Sequence, residues 1–181
     1  MTQTSNLKSA AITNLDATPI VANTTGEGAP AYLKSVVGFV TTVSADAAGS
    51  TYRLVRLPSN AKVKEIFMCA GAMTAGAFNL SVYYSDSTTD GTAPANQGLI
   101  VSGSPGGDAF FGSDISAASA LNDANETNES GNYPLSLRNQ PLWQALGLAT
   151  DPGGFLDIVA VCHTTAVTTG ALLGITVLFD L

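Results

Sequence analysis

Charge is what this chain of 181 residues most lacks. Charged residues make up 12% of it, about half of the roughly 25% found in an average soluble domain. Seven Lys and Arg stand against fourteen Asp and Glu, giving a net charge of −7 and a pI near 4.3. Nucleic-acid binding needs a basic face to meet phosphates, so no nucleic-acid partner is expected. Long hydrophobic runs are missing too. The most apolar stretch, Ala171 to Phe179, is far short of the ~20 residues that cross a bilayer, so no membrane partner is expected. The start, MTQTSNLKSAAITNLD, has no basic segment leading into an apolar run. It therefore does not read as a secretory signal, and the chain is expected in a cytoplasm or in something assembled there.

Residues that carry chemistry are equally scarce. The single histidine, His163, cannot supply the three or four ligands of a zinc site. No serine and acid assemble around it in the sequence as a nucleophilic set. Asp86 and Asp90 lie in SDSTTDG, which lacks the regular alternate ligand positions of a calcium loop. GSPGG is not followed by Lys-Ser/Thr, so it reads as a turn and not as a phosphate loop. Asp157 is the one acid inside an apolar run. It has no evident partner for the paired-carboxylate chemistry of a glycosidase. Cys69 and Cys162 each sit in a strand-like run, which in a reducing compartment favours two buried free thiols over a bridge. No catalytic residue, cofactor or metal is expected.

What is present is Gly, Ser, Thr, Asn and Ala in place of the missing charge. Such an uncharged surface suits a protein covered by neighbours, because interface cores are depleted in Lys, Glu and Asp. It equally suits an ordinary Thr/Ser/Gly-rich β-protein. Strand-like runs recur at Leu33–Val43, Thr51–Leu57, Val63–Ala70, Phe78–Tyr84, Asp108–Ile115, Phe155–Thr164 and Ala171–Asp180, with a short one at Leu99–Val101. Phe78, Leu80, Val82 and Tyr84 alternate with Asn79, Ser81 and Tyr83, the pattern of a half-buried antiparallel strand. In the third run the same rule puts Val63, Glu65, Phe67 and Cys69 on one side and Lys64, Ile66 and Met68 on the other. Gly38 reads as a bulge. The last two runs are near-continuously apolar and are expected at the centres of their sheets. One short helix is expected over Arg138–Gly147, with Leu142, Trp143 and Leu146 facing inward. NDANETNESGN, residues 122–132, reads as a solvated acidic loop, and 85–107 as a long loop of functional or interface character.

About eight strands without βαβ alternation predict an all-β fold: an antiparallel β-sandwich, of which the jelly roll fits best. An immunoglobulin-like sandwich fits less well, because Trp143 lies outside the paired strands. Residues 1–31 stand apart from this domain of 32–181. They contain no aromatic and three charges, and Leu7, Ile12, Leu15, Ile20 and Val21 keep neither helical nor strand spacing. An extended N-terminal arm is the expectation, reaching roughly 100 Å if fully stretched. Termini are rarely ordered unless tied down, so these apolar residues are candidate subunit contacts. A second candidate is the cluster Arg53, Arg56, Lys62 and Lys64, four of the seven cations. Asp108, Asp114, Asp123, Glu126 and Glu129 gather later in the chain. Two opposite patches can register identical subunits, or can both be ordinary solvated faces.

The runs YRLVRLPSNAKVKEI, FNLSVYYSD and PLWQALGLATDPGGFLDIVAV resemble those of small head proteins of tailed bacteriophages, the capsid decoration or cement class. The resemblance covers about Tyr52 to Val161, with gaps. It implies a non-enzymatic protein with a jelly-roll or related β-sandwich fold. Such proteins sit on the capsid surface of the virion, after assembly in the host cytoplasm, as oligomers that bridge capsomers. The implied partners are the major capsid protein and copies of the chain itself, a homo-oligomer with the trimer among the options. Similar sandwiches also serve as head fibres, tail components and lectins, so a lectin-like or receptor-binding module is the alternative.

Overall fold

The two most apolar runs each lie between two other strands, and this arrangement organises the rest. The computed structural model describes residues 32–42, 48–73, 76–85, 101, 107–163 and 170–181. The chain divides into two compact units at Tyr32/Leu33, and the second is described here by itself. The arm expected over 1–31, with Leu7, Ile12, Leu15, Ile20 and Val21, lies outside the described residues, as does most of 85–107.

The described strands are β1 (Lys34–Thr41), β2 (Thr51–Pro58), β3 (Lys62–Ala70), β4 (Ala77–Tyr84), β5 (Gly112–Ser116), β6 (Leu121–Asn125), β7 (Phe155–Cys162) and β8 (Leu172–Asp180). They form two antiparallel four-stranded sheets, ordered β1-β8-β3-β6 and β2-β7-β4-β5. First pairs with eighth, second with seventh, third with sixth and fourth with fifth, so the chain winds as a ribbon folded back on itself. The fold is an all-β sandwich. As the continuous hydrophobicity required, β8 lies between β1 and β3, and β7 between β2 and β4.

Val63, Ile66, Met68, Leu173, Ile175 and Val177 from one sheet share a buried core with Leu57, Phe78, Leu80, Val82, Leu156 and Ile158 from the other. Burying each such side chain contributes about 1.5–3 kcal/mol. The inward set of β4 is the alternating set of its sequence. In β3 the strict alternation fails. The β3–β8 register shifts between Val63 and Glu65, and the irregularity turns Val63 inward with Ile66 and Met68 while Lys64 and Glu65 both stay half-exposed. One extra residue flips the parity on one side of a bulge.

Three other expectations are corrected. Residues 122–125, expected in a loop, belong to strand β6 (Leu121–Asn125) on the edge beside β3. Its backbone is paired although its side chains offer no apolar pattern. The fifth strand starts at Gly112, and the preceding Phe110 and Phe111 turn into the core. There they meet Tyr133 edge-on at 5.3 and 4.9 Å, and the Tyr133 hydroxyl donates to the Val63 carbonyl at 2.8 Å. The helix shrinks to α1 (Leu142–Ala145), after a 3-10 turn at Leu135–Leu137. Pro141 disfavours helical geometry in the residue before it, and the helix starts only beyond it. Its free N–H groups are satisfied by the β2–β3 turn: Leu142 donates to Ala61 and Trp143 to Ser59, at 2.8 and 3.1 Å. Leu142 and Leu146 are buried as expected, whereas Trp143 is half-buried.

Gly38 is not a bulge, since β1 and β8 stay in step through its whole length. The reason for glycine is steric: a Cβ there would sit 1.8 Å from the Leu54 carbonyl oxygen, where β1 crosses β2. Gly38→Ala must push backbone apart, and overpacking of this kind costs about 1–3 kcal/mol. A lower thermal unfolding midpoint for Gly38→Ala is expected, and an unchanged midpoint would contradict the close approach.

Candidate interaction surface

The outer face of the β1-β8-β3-β6 sheet is built by the outward residues of each strand. Sequence alternation puts Val36 and Val40 of β1 against the core and turns Val37 and Phe39 out, where they are 65% and 68% exposed. The register lines up Val37 with Thr176 and Phe67, and Phe39 with Gly174 and Cys69. Gly174 leaves room for the Phe39 side chain, which a Cβ there would meet at 3.0 Å. Leu172, Leu33 and Leu135 are also exposed. The result is an apolar patch over β1 and the start of β8, of the kind that marks contact sites, while the charges of this sheet lie on β3, β6, the end of β8 and at Lys34.

At its edge lies a pocket of about 540 Å³ lined by Leu33, Lys64, Glu65, Leu135, Arg138, Asn139 and Leu178. Lys64 is fixed there by three partners: Asp180 at 3.2 Å, the Arg138 carbonyl at 2.9 Å and Asn139 Oδ1 at 2.8 Å. Lys62 stands opposite Asp180 in the β3–β8 ladder.

The other half of the cation cluster is on the other sheet. Arg53 donates to Asp157 Oδ2 at 2.8 Å and to the Tyr84 carbonyl at 3.2 Å. Arg56 holds the same carboxylate with two bonds, Nε to Oδ1 at 2.6 Å and Nη2 to Oδ2 at 2.9 Å. Arg53 also lies 5.7 Å from the Tyr83 ring centre. Asp157, which showed no partner in the sequence, thus has two. Neighbours in sequence, Arg53/Arg56 and Lys62/Lys64 occupy different sheets because the chain crosses the sandwich between β2 and β3. They do not form one patch.

The acidic residues are likewise distributed. Asp114 pairs with the ring of His163, both side chains being well exposed, and such a pair contributes at most about 1 kcal/mol. Asp123 accepts from the Cys69 thiol at 3.1 Å, and its own N–H reaches the same sulfur at 3.4 Å. That N–H bond is the largest influence on Cys69 and favours the thiolate, but the carboxylate bond, burial and charge of Asp123 outweigh it and raise the thiol's pKa. Cys69 is half-exposed, not buried as expected, and its raised pKa is the opposite of an activated thiolate. Cys162 is buried, and neither cysteine is in a disulfide. Glu129 accepts from the Ser113 N–H. Glu126, expected in solvent, is buried, and burial followed by the charge of Glu129 raises its pKa. Among the described residues no three His, Cys, Asp or Glu gather as metal ligands, and no helix is long and apolar enough to cross a membrane.

No known protein family and no curated protein matches the chain in sequence. Solved structures do match in shape. A chain from the capsid of Ralstonia phage GP4 is similar with a TM-score of 0.55 at 14% identity, over 89% of this chain and 91% of that one. A chain from the capsid asymmetric unit of cyanophage Pam1 gives 0.47 at 12% identity, over 92% and 96%. The first of these likenesses places the two chains in one fold.

Two outcomes follow from the charges. Removing one partner of a buried ion pair costs about 3–5 kcal/mol, but both arginines here can regain water. Asp157→Asn is therefore expected to cost about 2 kcal/mol, below that range because exposed partners are screened; urea unfolding measures it, and no loss would contradict the shared carboxylate. For Glu126 the folded state holds the proton more tightly than the unfolded one. Its ionisation therefore costs stability as pH rises through the raised pKa, and costs nothing below its ordinary value of 4.5. Glu126→Gln is expected to raise the melting temperature near neutral pH and to lose that advantage in acid. A gain independent of pH would exclude the charge as its cause.

Proposed function

We propose that the chain is a non-enzymatic structural protein of a tailed-bacteriophage particle, decorating or cementing the outer capsid surface by bridging capsid subunits. The observation that carries this reading is the apolar outer face around Val37, Phe39 and Leu172, exposed on a chain with only 12% charged residues. Contiguous apolar patches exposed to water mark contact sites. The fold likeness to a chain from a solved phage capsid and the resemblance of the strand runs to head decoration proteins support the same assignment. The ribbon-like pairing of first with eighth and second with seventh strand supports the jelly roll within the sandwich class.

In this reading the partners are the major capsid protein and further copies of the chain, on the virion surface after assembly in the host cytoplasm. The arm of residues 1–31 reaches a neighbour, with Leu7, Ile12, Leu15, Ile20 and Val21 as its anchors. Arg53, Arg56, Lys62 and Lys64 are further candidate contacts, although Asp157 holds Arg53 and Arg56 and Asp180 holds Lys64 within the chain. A lectin-like role draws no support from the pocket, whose described lining includes no aromatic ring for a sugar to stack on.

Particles purified from an infection producing this protein should contain it in fixed stoichiometry, located by electron microscopy on the outside of the shell. Its absence from such particles would refute the assignment. A variant lacking residues 2–28 should fold and yet fail to join the particle; normal incorporation would remove the arm from the account.

A further inference from the structure

The four sheet edges are not equally protected. Exposed edges recruit other strands unless bulges, charges, proline or short length prevent it. Edge strand β2 carries a register shift between Arg53 and Val55, two arginines, and Pro58 at its end. Strands β5 and β6 are five residues each and contain Asp114 and Asp123 at φ 54° and 52°. Strand β1 has the fewest of these guards. It runs eight residues in unbroken register with β8, holds no proline and one charge, Lys34, and among the described residues its other side is unpaired.

Its sequence is also chemically symmetric. About Gly38, Ser35 corresponds to Thr41, Val36 to Val40, and Val37 to Phe39. We propose that β1 is the seam of a two-fold dimer of this chain, in which two β1 strands pair antiparallel with Gly38 at the axis and join two four-stranded sheets into one. An isologous contact needs a self-complementary surface, and this strand reads alike from both ends. On the outer face Val37 meets the partner's Phe39 and Ser35 meets the partner's Thr41. Aromatic–β-branched and hydroxyl pairs of this kind are favourable across strands. The charges agree: Leu33–Thr42 contains no acid in a chain of net charge −7, so here two copies approach with least repulsion. Each Lys34 lies opposite Thr42 of the partner subunit, which keeps the two lysines about 27 Å apart along the ladder.

One eight-residue ladder is small beside the ~1,600 Å² of a standard interface, so the free dimer is weak. Sedimentation of the full chain should show a monomer–dimer equilibrium between about 1 µM and 1 mM, the range of weak association. Val37→Glu and Phe39→Lys should each weaken it at least ~10-fold, like other mismatched interface cores. Both sites are exposed in the monomer, so melting curves should be unchanged. Mixing the two variants should restore association, because the register sets the new acid of one copy against the new base of the other. Independently, Val37→Cys and Phe39→Cys variants mixed under oxidation should cross-link, since opposed Cα atoms in such a ladder lie about 4.5–5.5 Å apart, within disulfide reach. A wild-type chain monomeric up to ~1 mM, a dimer indifferent to Val37→Glu, or a mixture showing neither recovery nor cross-linking overturns the seam. None of these measurements involves a particle, so they can fail while the virion assignment stands, or the reverse.

Discussion

The sandwich depends on β7 and β8, the two strands bonded on both sides. Each serves as the template on which two others are placed: β2 and β4 on β7, β1 and β3 on β8. Both lie late in the chain, at Phe155–Cys162 and Leu172–Asp180. Every one of these four ladders therefore joins segments far apart in sequence, and their closure entropy is paid before the contacts can return it. A chain built this way completes its core only once β7 and β8 have been made.

Burial on β7 also explains how the charges are spent. Seven of its eight residues are buried, so Asp157 has left water, and two guanidiniums compensate it from β2. These are among the few cations the chain has. Lys64 is similarly committed to Asp180. The low charge content is thus divided between internal pairing and solvation, and the patch around Val37, Phe39 and Leu172 receives none of it.

The sequence made the central strands and β4 readable because burial imposes a pattern there: continuous hydrophobicity when both faces are covered, strict alternation when one is. It did not reveal β6, where Asn122, Asp123 and Asn125 contribute backbone pairing and hardly any side-chain burial. Nor could period-two counting survive the irregularity at Lys64, which reverses the facing of Val63. Gly38 was conspicuous, but its cause, a carbonyl of β2 against β1, is a contact between sheets that no local pattern encodes. The same holds for the site. Arg53 and Arg56 stood out as a cluster, yet their partner Asp157 is about a hundred residues away, at |i−j| of 104 and 101. Val37 and Phe39 belong to a strand-like run whose sequence does not say which face is covered; their exposure in the fold does.

The pairing of β1 with β8 has a mechanical side. Lys34 lies across from Phe179, so the chain enters and leaves the sandwich at one corner of the same ladder. Tension applied between the segment before β1 and the C-terminal end would open that ladder from the corner, one hydrogen-bonded pair at a time. Tension between the segment before β1 and the rest of the body would instead load the bonds of the ladder together, in shear. The direction of pull, and not the number of bonds, would then decide how much force a connection through the N-terminal segment can bear.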